Sequence, residues 1–265
     1  MAPTQLDKGT AFRELHEGDP FVFPNPWDAG SARVLEALGF KALATTSGGF
    51  AFSLGRLDGD VTLDEVVEHT SAIARASTLP VAVDLENGYG PSPEDAARAI
   101  TRVAEAGAVG GSIEDWDPDT GTYDISLASE RISAAAEAAQ ALEFPFTLTA
   151  RAENYFRGNP DLDDTITRLQ AYEAAGADVV YAPRLPGTEE IRAISDATSK
   201  PQNVLARADL SMSEIVAAGG QRVSVGAQLA WVAIGAMSRA ATDMRDHGSF
   251  AALTERLPLD EWLSS

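Results

Sequence analysis

Two carboxylates at alternating positions, Asp84 and Glu86, follow the apolar run Val81-Ala82-Val83. Alternation puts both acids on one side of an extended chain. Gly88 and Gly90 come next, where backbone must turn tightly or approach a ligand. A strand that ends in two acids and a glycine turn can hold a divalent cation, or can be a polar loop of solvated acids. Other apolar runs end the same way. Gly110 to Ile113 stops on Glu114-Asp115, and Phe146 to Ala150 stops on Arg151, with Glu153 two residues on. Asp58 sits in the irregular stretch from Phe50 to Asp60. Asp84, Glu86, Glu114 and Asp58 would repel one another without a cation. Ligands that are all oxygen, with no thiol in the chain, favour Mg²⁺ or Mn²⁺ over zinc. Arg151 offers a planar cation for a substrate carboxylate, or only a rim ion pair with Glu153. Ser47-Gly48-Gly49 offers backbone N–H groups to an oxyanion, or only a turn.

The elements that position these residues follow a regular beat. Short β-branched runs near 21, 42, 80, 110, 146, 178, 202 and 222 alternate with helical periodicity. Eight such units predict parallel strands joined by crossover helices. In roughly 250 residues that is the size of a TIM-type (β/α)8 barrel, with the chemistry at the C-terminal ends of the strands. An open doubly wound sheet is the other arrangement, but no GxGxxG follows the first strand. Asp28 or Ser31 can cap the helix after the first strand. Residues 1–265 read as one domain, with 248–265 as a C-terminal helical tail.

Composition narrows the function. The 265 residues carry 20 Lys plus Arg against 40 Asp plus Glu, a net charge of −20. Such a chain is a poor electrostatic partner for nucleic acid or an anionic membrane. No cysteine is present, which removes disulfides, thiolate-bound zinc, iron–sulfur clusters and thiol catalysis. No apolar run reaches the length of a membrane span, about 18 residues. The expected location is the cytoplasm.

Ser47-Gly48-Gly49, Gly55-Arg56-Leu57-Asp58, Val83-Asp84-Leu85-Glu86-Asn87-Gly88-Tyr89-Gly90, Ser112-Ile113-Glu114-Asp115 and Ala150-Arg151-Ala152-Glu153, in that order, resemble the isocitrate lyase and phosphoenolpyruvate mutase superfamily. The resemblance implies a barrel with Mg²⁺ around Asp84, its waters held by Asp58, Glu86 and Glu114. It implies a keto or hydroxy acid chelated to the metal and gripped by Ser47-Gly48-Gly49 and Arg151, with Trp27 beside the substrate. It also implies a last barrel helix, Leu229 to Met244, swapped between subunits of a homodimer or homotetramer.

Two segments depart from that pattern: Pro183-Arg184 stands after the sixth strand, where lyases of the superfamily offer a glutamate, and the loop after the fourth strand differs. Lyases of the superfamily carry a Lys/Arg-Cys-Gly-His core in the loop after the fourth strand. Here Asp115 to Asp124 has no Cys, His, Lys or Arg, and Tyr123 is its one candidate proton donor. The acidic loop also weakens a phosphonate P–C mutase or hydrolase reading, since phosphoryl transfer needs positive groups. The expected activity is an Mg²⁺-dependent carbon–carbon lyase that acts through a metal-stabilised enolate on a small keto acid, of oxaloacetate decarboxylase type. A methylisocitrate- or dimethylmalate-type lyase with a non-cysteine acid is the alternative. A catalytically degenerate metabolite-binding protein is the alternative from another class.

Overall fold

The computed structural model describes residues 2–254 and 257–264. The chain runs α1 (Gln5–Glu17), β1 (Phe21–Phe23), α2 (Ala29–Ala37), β2 (Leu43–Ala44), α3 (Ser47–Ser53), α4 (Leu63–Ala76), β3 (Val81–Asp84), α5 (Pro93–Glu105) and β4 (Gly110–Glu114). A small hairpin follows, β5 (Trp116–Asp117) and β6 (Gly121–Thr122). Then come α6 (Ile125–Gln140), β7 (Thr147–Arg151), α7 (Leu162–Ala174), β8 (Val179–Tyr181), α8 (Thr188–Ala197), β9 (Gln202–Leu205), α9 (Met212–Ala217), β10 (Gly220–Ser224), α10 (Gln228–His247) and α11 (Leu259–Ser264).

Eight strands pair in parallel in the order β1-β10-β9-β8-β7-β4-β3-β2, a nearly closed TIM-type barrel. Buried Val, Ile, Leu and Ala side chains fill the space between strands and surrounding helices, as parallel sheets covered on both faces require. The seam between β1 and β2 is narrow. Ala44 N–H donates to the Pro24 carbonyl oxygen across it at 3.0 Å. Asn25 reinforces the join. Its Nδ2 donates to the Thr45 carbonyl oxygen at 2.9 Å, and its Oδ1 accepts from the backbones of Val225 and Gly226. One buried amide thus ties the ends of the first, second and last barrel strands.

The helix starts explain why strand ends stay in register. Thr62, Ser92 and Ser211 cap α4, α5 and α9 reciprocally with an acid three residues on, which satisfies two free N–H groups at each start. Asp28 and Ser31 share the cap of α2 between them. Ser47-Gly48-Gly49 is not a bare turn. Thr46 caps it and it opens α3, because burial of Phe50 and Ala51 overrides the poor helix propensity of two glycines. Gly49 is needed there, since a Cβ would stand 2.7 Å from Thr46 Cγ2. The segment 115–124, expected as loop, folds as the β5–β6 hairpin.

The C-terminal region splits in two. Helix α10 buries only Ala230 among its described residues. Helix α11 lies against α2, where Arg33 donates to the Leu263 carbonyl oxygen at 2.8 Å. Among the described residues of the expected helical tail 248–265, only Leu259–Ser264 is helical. Residues 255, 256 and 265 lie outside the described residues. No helix among the described residues is long and apolar enough to cross a membrane.

Helix α1 plugs the N-terminal end of the barrel with Phe12, against Phe21 and Phe23. His16 closes the same end. Its Nδ1–H donates to the Phe12 carbonyl oxygen at 2.8 Å, which leaves Nε2 to accept from Arg222 at 3.0 Å. Burial first, and the Arg222 charge second, push this imidazole down to about 3. An unfolded chain takes up the His16 proton near its ordinary value of about 6.5. The folded chain refuses it until about pH 3. The stability tied to the neutral ring is therefore complete above about pH 6.5 and falls as pH drops, by about 1.4 kcal/mol per unit. In urea melts between about pH 6 and 4, wild type is expected to lose stability faster than His16→Gln by that slope. Parallel curves would contradict the assignment.

Candidate active site

The site gathers at the C-terminal ends of the strands. Asp84 ends β3 and is fixed by Ser47. The Ser47 hydroxyl donates to Asp84 Oδ2 at 3.0 Å, and the Ser47 backbone N–H approaches the same oxygen at 3.3 Å. Both Ser47 donors thus meet Asp84 directly. Asp58 lies beside them, and burial raises its carboxyl above the usual range. Gly48 makes room for it, since a Cβ there would sit 3.3 Å from Asp58 Oδ2.

The loop after β3 turns through left-handed backbone at Glu86, Gly88 and Tyr89, with φ of 48°, 80° and 61°. For Glu86 and Tyr89 this conformation is unfavourable and must be held from outside. Arg131 on α6 holds it. The guanidinium, 1% exposed, donates to the carbonyl oxygens of Asn87, Gly90 and Ser92. The Tyr89 hydroxyl donates to Glu86 Oε1 at 3.0 Å. Burial, and then the Asp84 charge, push Glu86 up to about 7.

Arg151 ends β7 in the centre of the acids. Its Nε pairs with Glu153, and its Nη1 lies 3.1 Å from Glu114 Oε2 and 3.6 Å from Asp84 Oδ1. Burial works against this charge, but Glu114, Glu153 and Asp84 outweigh it and hold the guanidinium well above its ordinary range. Burial lifts Glu114 to about 8 against the pull of Arg151. A second cation stands outside the sequence expectations. Arg157 pairs with Glu114 Oε1 at 3.0 Å and Glu153 Oε2 at 2.9 Å, and stacks on Trp116 with its guanidinium carbon 3.4 Å from the ring centre. Its only sequence signal was a basic residue next to Phe156 in a very acidic chain.

A cavity of about 280 Å³ opens on this cluster. It is small for a ligand site, where roughly 300–1,000 Å³ is usual, and suits a short acid. Ser47, Gly48, Asp58, Asp84, Arg151 and Tyr181 line it. Glu86 and Glu114 stand behind that lining. Gly49 packs against Thr46 and Trp27, and Trp27 does not line the cavity. Tyr123 does not line it either. The Tyr123 hydroxyl donates to Asp117 Oδ2 at 3.3 Å, with Arg131 over its ring. Tyr181 is the phenol that does face the cavity. It lies beside Arg151 with its hydroxyl on Ser224, and burial pushes it up to about 12.

The side chains fit a hydrated divalent cation. Five carboxylates, Asp58, Asp84, Glu86, Glu114 and Glu153, surround two cations, Arg151 and Arg157. Every negative donor is a hard oxygen. Among the described residues no three acids or histidines converge tightly enough to enclose an ion directly. Mg²⁺ tolerates that arrangement because it keeps most of its waters and takes few carboxylates.

The barrel is that of the isocitrate lyase and phosphoenolpyruvate mutase superfamily, whose members are carbon–carbon lyases or mutases. The chain belongs to the phosphoenolpyruvate phosphomutase family, whose sequence pattern matches residues 12–245. It is similar to a protein of Burkholderia cenocepacia J2315 of known structure, with 49% identity and a TM-score of 0.95 over 98% of this chain and 97% of that one. It is 33% identical over 256 residues to the oxaloacetate decarboxylase of Bradyrhizobium diazoefficiens, covering 93% of this chain and 85% of the relative. It is 28% identical over 204 residues to the 2-methylisocitrate lyase of Halalkalibacterium halodurans, covering 75% and 67%.

Proposed function

We propose that the protein is a magnesium-dependent carbon–carbon lyase of oxaloacetate decarboxylase type, acting on a short 2-keto dicarboxylate. The observation that carries this is a cavity that holds an acid cluster and a phenol while the β4–α6 segment brings no thiol and no cation to it. Loss of CO₂ from a β-keto acid needs neither. The similarity to oxaloacetate decarboxylases supports the same reading.

The cation would be held by Asp84, with Asp58, Glu86 and Glu114 around its waters. Bound there, it would polarise the keto oxygen as a Lewis acid. The protein's own groups do the rest. Ser47 holds Asp84 in one orientation. Arg151 and Arg157 hold the Glu114 and Glu153 carboxyl groups in place. Tyr181 offers its hydroxyl proton to the carbon that CO₂ leaves, so the electron pair of the broken C–C bond ends in a C–H bond. Water then restores the Tyr181 proton.

The test is pyruvate release from oxaloacetate, followed by NMR with Mg²⁺ and with EDTA. The blank must contain the metal, because free metal ions decarboxylate oxaloacetate unaided. Saturable release above that blank supports the proposal. Release at the blank rate sinks it and turns the search to larger 2-hydroxy acids and phosphonates. Ligand binding without turnover of any of these would leave a metabolite-binding protein. Tyr181→Phe is expected to lower kcat about a hundredfold, the usual worth of a positioned proton donor, with little change in KM. An unchanged kcat would remove Tyr181 from the mechanism.

We also propose a homodimer or homotetramer in which α10 crosses to a neighbouring subunit. A helix of 20 residues that buries only Ala230 in its own chain, and leaves Val232 and Met237 more than 60% exposed, supports it. A monomer in sedimentation velocity would refute it.

A further inference from the structure

Arg222 sits in the middle of β10 and reaches across the inside of the barrel. Its Nη2 donates to Thr149 Oγ1 on β7 at 2.9 Å, and its Nε to Asn203 Oδ1 on β9 at 2.8 Å. Its Nη1 donates to His16 on α1, and Phe23 lies 4.7 Å below the guanidinium carbon. The residue is 4% exposed. Every one of these partners is neutral. Asn203 and Thr149 carry no charge, and His16 is neutral because its Nε2 accepts from Arg222 while its Nδ1–H is donated to a carbonyl oxygen. Among the described residues no carboxylate forms an ion pair with Arg222.

Such a cation cannot neutralise itself at neutral pH. Burial pushes it down only to about 9. A charge buried without a counter-charge is costly to keep. The contrast with Arg151 is sharp, because that guanidinium is enclosed by three carboxylates. Arg222 uses three of its five N–H groups on neutral acceptors and keeps two for another partner.

Three arginines line the same cavity: Arg151, the exposed Arg184 and the buried Arg222. Asp84, Asp58 and Arg151 form its rim, and Arg222, Asn203 and Thr149 form its floor. The mouth mixes the Asp58 and Asp84 carboxylates with Arg151 and the solvated Arg184, whereas the floor holds one buried positive charge with no carboxylate beside it. An anionic group at the inner end of a ligand would complete the floor.

We infer that Arg222, with Asn203 and Thr149 orienting it, receives the second carboxylate of the substrate and sets a preference for short dicarboxylates over monocarboxylates. This rests on the keto-acid reading, in which the first carboxylate and the keto group engage the rim. The guanidinium keeps the inner carboxylate ionised, the form that loses CO₂, and fixes its direction down the barrel axis.

Calorimetry on the full chain with saturating Mg²⁺ tests this with (S)-malate and (S)-2-hydroxybutyrate. These two acids differ by one carboxylate in place of a methyl group, and neither is a β-keto acid. Wild type is expected to bind malate at least about tenfold more tightly, the scale of one charge-assisted bidentate contact. Arg222→Met should erase that preference, and Arg222→Lys should keep part of it. Asn203→Asp covers the case in which Arg222→Met does not fold. It places a carboxylate of the same size against Arg222, so it should raise the melting temperature and erase the malate preference. A wild type without preference overturns the inference. So does a preference that survives Arg222→Met or Asn203→Asp. Oxaloacetate turnover is read separately. Malate preference without turnover overturns the decarboxylase reading alone, and turnover without malate preference overturns this inference alone.

Discussion

Asp84→Ala is expected to lower metal-dependent turnover of the keto-acid substrate by roughly a thousandfold. The size follows from the several kcal/mol that Lewis-acid stabilisation contributes, at about 1.4 kcal/mol per tenfold in rate. Asp84 and Asp58 both face the cavity, and Asp84 is the one that ends a barrel strand and takes both Ser47 donors. Glu86 and Glu114 stand further back and are already paired, with Tyr89 and with Arg151 and Arg157. They cannot replace it as the exposed donor. The variant should nevertheless fold. Removing one carboxylate from a group of five relieves repulsion, so the melting temperature should hold or rise. A variant that keeps a tenth of the wild-type rate would remove Asp84 from the metal site. A variant that melts well below wild type would mean that Asp84 is structural instead.

Arg151→Met is expected to cost about 3–5 kcal/mol of stability, as breaking a buried ion pair from one side does. The reason is the company it keeps. Glu153 is fully buried and Glu114 is 5% exposed, and each would lose its central partner. Arg157 contacts both but is the more exposed of the two arginines, so it compensates only in part. For a chain of this length the melting temperature should fall on the order of 10 °C. Arg151→Lys keeps the charge but loses the planar fork, and should fall between wild type and Arg151→Met. Equal melting temperatures for all three would show that the acids are protonated in the folded state and need no cation.

The barrel was legible because burial on both faces forces apolar strands and amphipathic helices into strict alternation. The eight strands fall where Phe21, Leu43, Val81, Gly110, Thr147, Val179, Gln202 and Gly220 begin them. Asp84 and Arg151 were legible for a related reason, since a charged residue that stops an apolar strand lies at the barrel mouth. Side-chain direction beyond the strand end was not. Tyr123 and Trp27 are near the mouth in sequence, yet their side chains turn to Asp117 and to the α3 packing. Tyr181 ends a strand and so falls at the barrel mouth, but that it is the phenol facing the cavity shows only in the fold. Arg222 carried a usable sign, a cation between Gly220 and Val223 inside a buried strand. Only the fold shows that no carboxylate among the described residues pairs with it.

The hairpin β5–β6 stands where related lyases carry a mobile loop. Here Arg157 lies flat on Trp116, the Asp117 carboxylate accepts from the backbones of Asp119 and Thr120, and Tyr123 is buried beneath Arg131. These residues have given up their conformational freedom in folding. A segment that is free until the ligand arrives must lose roughly 1–2 kcal/mol of backbone entropy per residue on binding. This hairpin carries that loss in the folding free energy instead, so the affinity measured for a ligand reflects its contacts with little deduction for ordering the loop.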